Sequence, residues 1–150
     1  MEFVTKNAEE TKKLGREMAA DLMVNGQGSM AKVLALTGDL GSGKTTFVQG
    51  LAEELGVRQQ IISPTFILMR SYPINHQPLA ISHLFHLDLY RLETEIETEV
   101  RNLGLEEIWK DPKNIVVIEW AEKIREMVPK EAIWIKFENI GDNIRKIVIS

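Results

Sequence analysis

The residues best suited to chemistry lie in the segment LTGDLGSGKTTFVQG, residues 36–50. Four residues lie between Gly38 and Gly43, and Lys44 and Thr45 follow, which matches the phosphate-binding pattern G-x-x-x-x-G-K-[ST]. Glycine at these positions permits backbone angles that a side chain would forbid. Backbone N–H groups can then turn inward around a phosphate, with the N-terminus of a helix behind them. The segment therefore predicts nucleotide binding.

The side chains of this phosphate loop have separate expected roles. We expect Lys44 to reach the β- and γ-phosphates and to act in catalysis, and the Thr45 hydroxyl to bind Mg²⁺. Gly41, at a variable position of the pattern, keeps the loop slim. The residues predicted to contact the nucleotide from the loop are Gly38, Asp39, Leu40, Gly41, Ser42, Gly43, Lys44, Thr45 and Thr46.

A carboxylate must complete the coordination of Mg²⁺ beside such a loop, and in this class of proteins it follows a buried strand. The run IVVIE places Glu119 after four apolar residues. We therefore expect Thr45 and Glu119 to bind the metal together, although a surface glutamate at a strand end is the alternative. Trp120 is either a packing aromatic or a residue near the nucleotide.

The segment LFHLDLYRL alternates between apolar and polar residues, so that His86, Asp88 and Tyr90 share one face of a strand. Most polar faces of this kind are simply solvated. Asp88 is nevertheless a candidate catalytic residue, which would orient an attacking water or hold the magnesium shell. His86 is not expected to be a metal ligand, because no partner of suitable type and spacing accompanies it.

Other candidates rest on weaker patterns. The segment SPTF follows the helix after the phosphate loop, where related switches sense the γ-phosphate, so Thr65 either contacts the nucleotide or belongs to a plain turn. Arg91, Arg101 and Arg145 are candidate cations for the γ-phosphate, although each is more simply a surface charge. The acidic run ETEIETE is a solvated face or a docking surface for a basic partner.

Alternating strands and helices must position these residues. The pattern predicts a strand at 2–5, then a helix capped by Asn7 with Leu14, Met18 and Leu22 buried. It next predicts a buried strand before the phosphate loop and a helix, KTTFVQGLAEELG, after it. ILMRSY and LAISHLFHLDLYRL read as strands joined by the turn PINHQP.

The second half of the chain continues the alternation. It predicts short acidic helices, a buried strand in IVVIEW, a helix in AEKIREMV that ends at Pro129, and a terminal hairpin of AIWIKFENI with NIRKIVIS. The order favours a single α/β domain over residues 1–150, of the P-loop NTPase-like kind, with a central mixed sheet flanked by helices.

Composition excludes several classes of protein. The 150 residues carry a net charge of −4, which disfavours a stand-alone nucleic-acid binder. The absence of cysteine excludes disulfide and thiolate chemistry. There is no apolar run of membrane-spanning length and no signal-peptide core, so we expect a cytoplasmic protein without membrane attachment.

Three functions remain for the nucleotide. A small-molecule kinase is weakly supported, because arginines are few and scattered. A GTPase-type switch lacks the guanine-reading N-K-x-D segment. An ATPase whose hydrolysis serves a partner protein fits a small chain without an evident acceptor site.

Five segments together resemble the bacterial TsaE family, formerly called YjeE. GDLGSGKTTFVQGLAEELG, SPTF, HLDLYRL, LGLEEIW and VVIEWAEKI occur in the order of that family, and the resemblance runs from about Thr5 to about Ile149. It implies an ATP- and Mg²⁺-dependent ATPase required for threonylcarbamoylation of adenosine 37 in tRNAs that read ANN codons. The ATPase would dock on a complex of TsaD-like and TsaB-like subunits, contact tRNA only through them, and hydrolyse ATP to reset the complex.

The resemblance also assigns residues. Lys44 and Thr45 match the family's phosphate-loop residues, Glu119 its second magnesium ligand, and Asp88 the essential aspartate of HxDxYR. By the same resemblance Thr65 is the switch-like threonine, Trp120 lies beside the acid, and Thr11 belongs to the N-terminal part of the adenine pocket. A nucleotide-gated binding module with incidental hydrolysis and a small-molecule kinase remain the alternative functions.

Overall fold

Among residues 1–24, 28–64, 67–74 and 81–150, which the computed structural model describes, seven strands form one sheet. In chain order they are β1 (Glu2–Thr5), β2 (Lys32–Thr37), β3 (Met69–Pro73), β4 (His83–Asp88), β5 (Asn114–Glu119), β6 (Ile133–Gly141) and β7 (Ile144–Ile149). Their order across the sheet is β1-β7-β6-β2-β5-β4-β3. The four central strands β6, β2, β5 and β4 are parallel, whereas β1, β7 and β3 pair antiparallel with their neighbours. The predicted mixed sheet is confirmed.

Helices cover both faces of the sheet. They are α1 (Ala8–Val24), α2 (Lys44–Leu55), α3 (Ile96–Asn102), α4 (Leu105–Lys110) and a 3₁₀ helix (Ala121–Ile124). Side chains of α1 and α2 form one hydrophobic core, and those of α3, α4 and the 3₁₀ helix form a second on the opposite face. None of the helices in the described part of the chain combines the length and apolar character needed to cross a membrane.

The predicted start of α1 and end of α2 are confirmed. Asn7 Oδ1 accepts a hydrogen bond from the Glu10 amide at 2.9 Å, while Glu10 Oε1 accepts one from the Lys6 amide at 2.8 Å. This reciprocal pair satisfies amides that a helix terminus would otherwise leave free. At the far end of α2, Gly56 ends the helix in the left-handed conformation, with φ of 82°.

Two glycines bring α1 and α2 unusually close. A Cβ at Gly15 would overlap the Phe47 carbonyl, and a Cβ at Gly50 would overlap the Lys12 carbonyl. Because neither glycine has a side chain, the backbones touch directly. This crossing holds the start of α1 beside the phosphate loop, where the Thr11 methyl lies 3.7 Å from the Cβ position of Gly43.

Two predictions of secondary structure are wrong. The segment AEKIREMV forms a 3₁₀ helix only at Ala121–Ile124, because Lys123 N and Met127 N bond the carbonyls three residues before them. The strand predicted in LAISHLFHLDLYRL is limited to β4, so Tyr90 lies in the turn beyond it. Part of that segment, with most of the predicted turn PINHQP, lies outside the described residues.

Candidate nucleotide and metal site

The candidate site forms where three parallel strands end at the same edge of the sheet. β2 leads into the phosphate loop, β5 ends at Glu119 and β4 ends at Asp88. In the sheet register Glu119 lies opposite Leu36 on one side and opposite Asp88 on the other. Since loops at the carboxyl ends of parallel strands converge, three distant sequence segments meet here.

Backbone conformation shapes the phosphate loop. Gly38, Gly41 and Gly43 have φ of 141°, 75° and 103°, values that side chains rarely adopt. α2 begins at Lys44 without a side-chain cap, and the first N–H groups of a helix have no partner within the helix itself. The loop therefore presents N–H donors and the positive end of a helix dipole to one point, as an anion site requires.

The Lys44 side chain lies inside the loop. Its ammonium donates to the carbonyls of Gly38 and Asp39, the latter at 3.1 Å, and sits 4.2 Å from the centre of the Trp120 ring. Only 5% of the residue is exposed. Burial lowers the pKa of Lys44, and the carboxylates of Glu119, Glu122, Asp88 and Asp39 oppose that shift. The cation is therefore poorly hydrated and held where an anion would meet it.

Thr45 and Glu119 meet across the cleft from separate elements. The Thr45 hydroxyl lies 3.3 Å and 3.2 Å from the two carboxylate oxygens of Glu119. Glu119 is buried, and His86 Nε2 lies 2.6 Å from its Oε2. The prediction that Glu119 sits at the end of a buried strand is confirmed, and the surface-glutamate alternative is wrong.

Asp88 is also held by hydrogen bonds. Its Oδ2 accepts from the Ser63 hydroxyl at 2.7 Å, and its Oδ1 accepts from the Tyr90 amide at 3.0 Å. The interpretation of a solvated polar face is wrong for β4, because His86 is 0% and Asp88 4% exposed. β4 is flanked by β3 and β5, and hydrophobic clusters pack on both of its faces, so His86 and Asp88 are buried although His83 at its start is exposed.

One cavity of about 390 Å³ joins these groups, within the size range of small-molecule sites. The predicted residues that line it are Leu40, Gly41, Ser42, Gly43, Lys44, Thr45, Thr46, Thr11, Asp88, Glu119 and Trp120. Gly38 and Asp39 are not among the lining residues, but their carbonyls accept hydrogen bonds from the Lys44 ammonium. The predicted residue Thr65 lies outside the described residues.

Only one of the three candidate arginines reaches the cavity. Arg145 of β7 lines it together with Asn7, Ala8 and Asn143, at the end where Thr11 lies. Arg101 instead pairs with Glu97 and Glu106 on the surface. Arg91 is exposed and does not line the cavity. Arg145 is therefore the arginine of the three that is close enough to meet a ligand in the cleft.

The donor atoms present fit a magnesium nucleotide. Thr45, Glu119 and Asp88 offer oxygens, which Mg²⁺ prefers, at one end of the cavity. Within the described ranges, no three side chains of His, Asp or Glu gather as they would around a metal bound by protein alone. A metal that shares its shell with water and phosphate matches so few protein ligands. The buried Ser42 hydroxyl, which has no partner among the described residues, adds a donor to the loop.

Sequence reasoning missed three supporting residues. His86 contacts Glu119, Ser63 contacts Asp88, and the Lys123 ammonium donates to the carbonyls of Leu89, Tyr90 and Leu92 at 3.0, 2.8 and 2.7 Å. His86 and Ser63 lie in the segments HLD and SPTF, which were already singled out for Asp88 and Thr65. For Lys123 no local pattern indicates its acceptors, which lie more than thirty residues away in the sequence.

Comparison with known proteins gives a consistent family. The family described as "Threonylcarbamoyl adenosine biosynthesis protein TsaE" matches residues 5–147. The "tRNA threonylcarbamoyladenosine biosynthesis protein TsaE" of Bacillus subtilis (strain 168) is 37% identical over 150 residues, covering 100% of this chain and 85% of that protein. Its namesake from Treponema pallidum (strain Nichols) is 33% identical over 150 residues and covers 100% of both chains. The solved "Crystal structure of Bacillus subtilus YdiB" matches with a TM-score of 0.72 at 32% identity, covering 99% of this chain and 83% of that one.

Proposed function

The chain belongs to the TsaE family of tRNA threonylcarbamoyladenosine biosynthesis proteins, and from that premise we propose that it is a Mg²⁺-dependent ATPase of this pathway. One observation carries the proposal. Asp88 and Glu119 are buried carboxylates, paired across β4 and β5, that line the same cavity as Lys44 and Thr45. A protein that only bound nucleotide would need the loop but would not need Asp88.

Each side chain has a distinct part in the proposed hydrolysis. The amides at the start of α2 and the Lys44 ammonium bind the phosphates of ATP. The positive charge of Lys44 also stabilises the negative charge that develops on the phosphates during hydrolysis. The Thr45 hydroxyl and the Glu119 carboxylate hold magnesium, which neutralises phosphate charge when bound. Asp88 accepts a hydrogen bond from the attacking water and orients it.

We place the nucleotide base where residues of α1 and β7 line the cavity. Thr11, Asn7, Asn143 and Arg145 line the cavity there, and Trp120 lies against the Lys44 ammonium. Thr11 is fixed there because its hydroxyl lies 2.7 Å from the Thr5 hydroxyl of β1. This arrangement supports the proposed contact of Thr11 with the adenosine part of ATP.

We further propose that the protein acts in the cytoplasm on a complex of a TsaD-like transferase and a TsaB-like subunit. ATP binding favours docking, and hydrolysis resets the complex between rounds of adenosine 37 modification in tRNAs reading ANN codons. The net charge of −4 supports contact with tRNA only through the partners, because an acidic chain binds phosphate backbones poorly.

The test is phosphate release from ATP, with and without the TsaD and TsaB subunits, for the unaltered protein and for Asp88→Asn. We expect the partners to stimulate release, and Asp88→Asn to reduce it by about 10²- to 10⁴-fold while ATP binding persists. Asp21→Asn, an exposed aspartate of α1, is the matched control. Normal turnover by Asp88→Asn would refute the catalytic role and favour incidental hydrolysis by a nucleotide-gated binding module.

A further inference from the structure

His86 is a buried residue that has no part in the proposed hydrolysis. It lies on β4 two residues before Asp88 and is 0% exposed. Its Nε2 lies 2.6 Å from Glu119 Oε2, whereas the Thr45 hydroxyl is 3.2 Å from that same oxygen and 3.3 Å from Oε1. The Thr45 hydroxyl is nearly equidistant from the two carboxylate oxygens of Glu119. The two oxygens therefore differ mainly in that Oε2 contacts the imidazole of His86.

The contacts of the two ring nitrogens indicate which of them donates a hydrogen bond. His86 Nδ1 is buried and has no partner among the described residues. A proton on Nδ1 would be an unmet buried donor, which costs about 1–3 kcal/mol. An ionised carboxylate only accepts, so the 2.6 Å contact requires a proton on Nε2. The imidazole therefore donates from Nε2 to Glu119 Oε2.

We propose that His86 is a positioning residue, which holds the Glu119 carboxylate in the orientation that meets Thr45 and so preforms the magnesium site. This inference rests on the proposed function, since it concerns the same metal. The imidazole occupies Oε2 and leaves Oε1 beside the Thr45 hydroxyl as the oxygen with fewer protein partners. A side chain that fixes a metal ligand in this way typically changes metal affinity by about 10- to 100-fold when removed.

β4 thereby acts on both carboxylates of the site. Asp88 belongs to this strand, and His86 reaches from the same strand to Glu119 on β5. Alternation along a strand places residues two positions apart on the same face, which explains how one short segment serves two functions. The spacing His86-x-Asp88 follows from this geometry.

Three substitutions separate positioning from packing. His86→Leu fills the space without a donor, His86→Gln carries an amide N–H about as far from the backbone as Nε2, and His86→Asn carries one that is too short. Binding of a fluorescent ATP analogue is measured in EDTA and across a Mg²⁺ titration, with unfolding temperature as a check on folding.

We expect His86→Leu to raise the Mg²⁺ concentration for half-maximal effect by about 10- to 100-fold, with affinity in EDTA unchanged. His86→Gln should restore much of the metal response, and His86→Asn should not. Unchanged metal response in His86→Leu would overturn the proposal. If that variant fails to fold, equal behaviour of the Gln and Asn variants would overturn it.

The unaltered protein provides two further tests. Long-range ¹⁵N–¹H NMR of the histidine rings should report a proton on Nε2 of His86, and a ring without that proton would contradict the hydrogen bond to Glu119. If the unaltered protein binds the analogue equally well in EDTA and Mg²⁺, the magnesium part of the proposed function fails, and the role of His86 with it. A metal response in the unaltered protein that persists in His86→Leu removes the His86 proposal alone.

Discussion

The two sides of the cleft are built by different means. On the loop side, glycine conformations and free amides at the start of α2 form the site, and the short contact between α1 and α2 supports it. On the carboxylate side, Asp88 and Glu119 are fixed by side chains from other segments, namely Ser63 and His86. A site of backbone donors is encoded locally, whereas a site of oriented carboxylates depends on tertiary packing.

Among the substitutions on the carboxylate side, that of Lys123 should lower the free energy of unfolding the most. Lys123→Met removes three charge-assisted hydrogen bonds to the turn that follows Asp88, although Leu89 O keeps the Leu92 amide as a donor. We expect the free energy of unfolding to fall by about 3 kcal/mol. Chemical denaturation measures this loss, with Lys130→Met, an exposed lysine, as control. A loss equal to that of the control would show that the turn after Asp88 is stable without the hydrogen bonds from Lys123.

Lys44 should separate nucleotide binding from stability on the loop side. ATP at about 100 times its Kd should stabilise the unaltered protein by about 2.7 kcal/mol, and Lys44→Met should lose most of this gain. Because the ammonium is buried and its pKa lowered, its removal should change the free protein's stability by less than about 1 kcal/mol.

Thermal unfolding with and without ATP tests both expectations for Lys44. Lys13→Met, an exposed lysine of α1, should keep the full stabilisation by ATP. A Lys44→Met protein that is still stabilised as much as the unaltered one would place the phosphates away from this side chain.

The scaffold of the loop side should be sensitive to a single methyl group. Gly50→Ala forces a Cβ into the Lys12 backbone, so α1 must move away from α2. We expect a loss of about 2 kcal/mol in unfolding free energy, typical of overpacking. Gly28→Ala, where a Cβ meets no atom within 4 Å, is the control. If the variants unfold at equal temperatures, the close helix contact does not support the loop.

The sequence predicted the loop side better than the carboxylate side, and the reason is physical. Gly38, Gly43 and Lys44 act through their spacing in one short segment, and spacing is visible without a fold. Glu119 was found because a buried strand precedes it. The burial of His86 was not found, because a strand with alternating polarity is solvated or covered according to which elements pack on it.

Other features of the carboxylate side depended on long-range contacts in the same way. The three acceptors of Lys123 come from a turn that only the fold brings near. The segment AEKIREMV has a helical pattern, yet it forms a 3₁₀ helix whose Ala121 and Ile124 are buried against the sheet, with Val128 buried beyond its end. Local propensity therefore identified a helical segment, while packing decided its type and length.

The smallest expected effect concerns Ser63, which tests whether the carboxylate side can be changed without affecting the loop side. Ser63→Ala removes one hydrogen bond to Asp88 Oδ2 and leaves the Tyr90 amide on Oδ1. A hydrogen bond to a charged carboxylate contributes about 1.5 kcal/mol, so turnover should fall about tenfold if the bond orients Asp88. ATP affinity should not change, because the phosphates are bound from the loop side.

Phosphate release and ATP binding, measured side by side, test this prediction for Ser63→Ala. Ser29→Ala, at an exposed serine, serves as the control. Equal losses in turnover and affinity would mean that Ser63 supports the cleft as a whole. A loss in turnover alone would show that a single hydrogen bond to Asp88 affects catalysis independently of the loop that binds the phosphates.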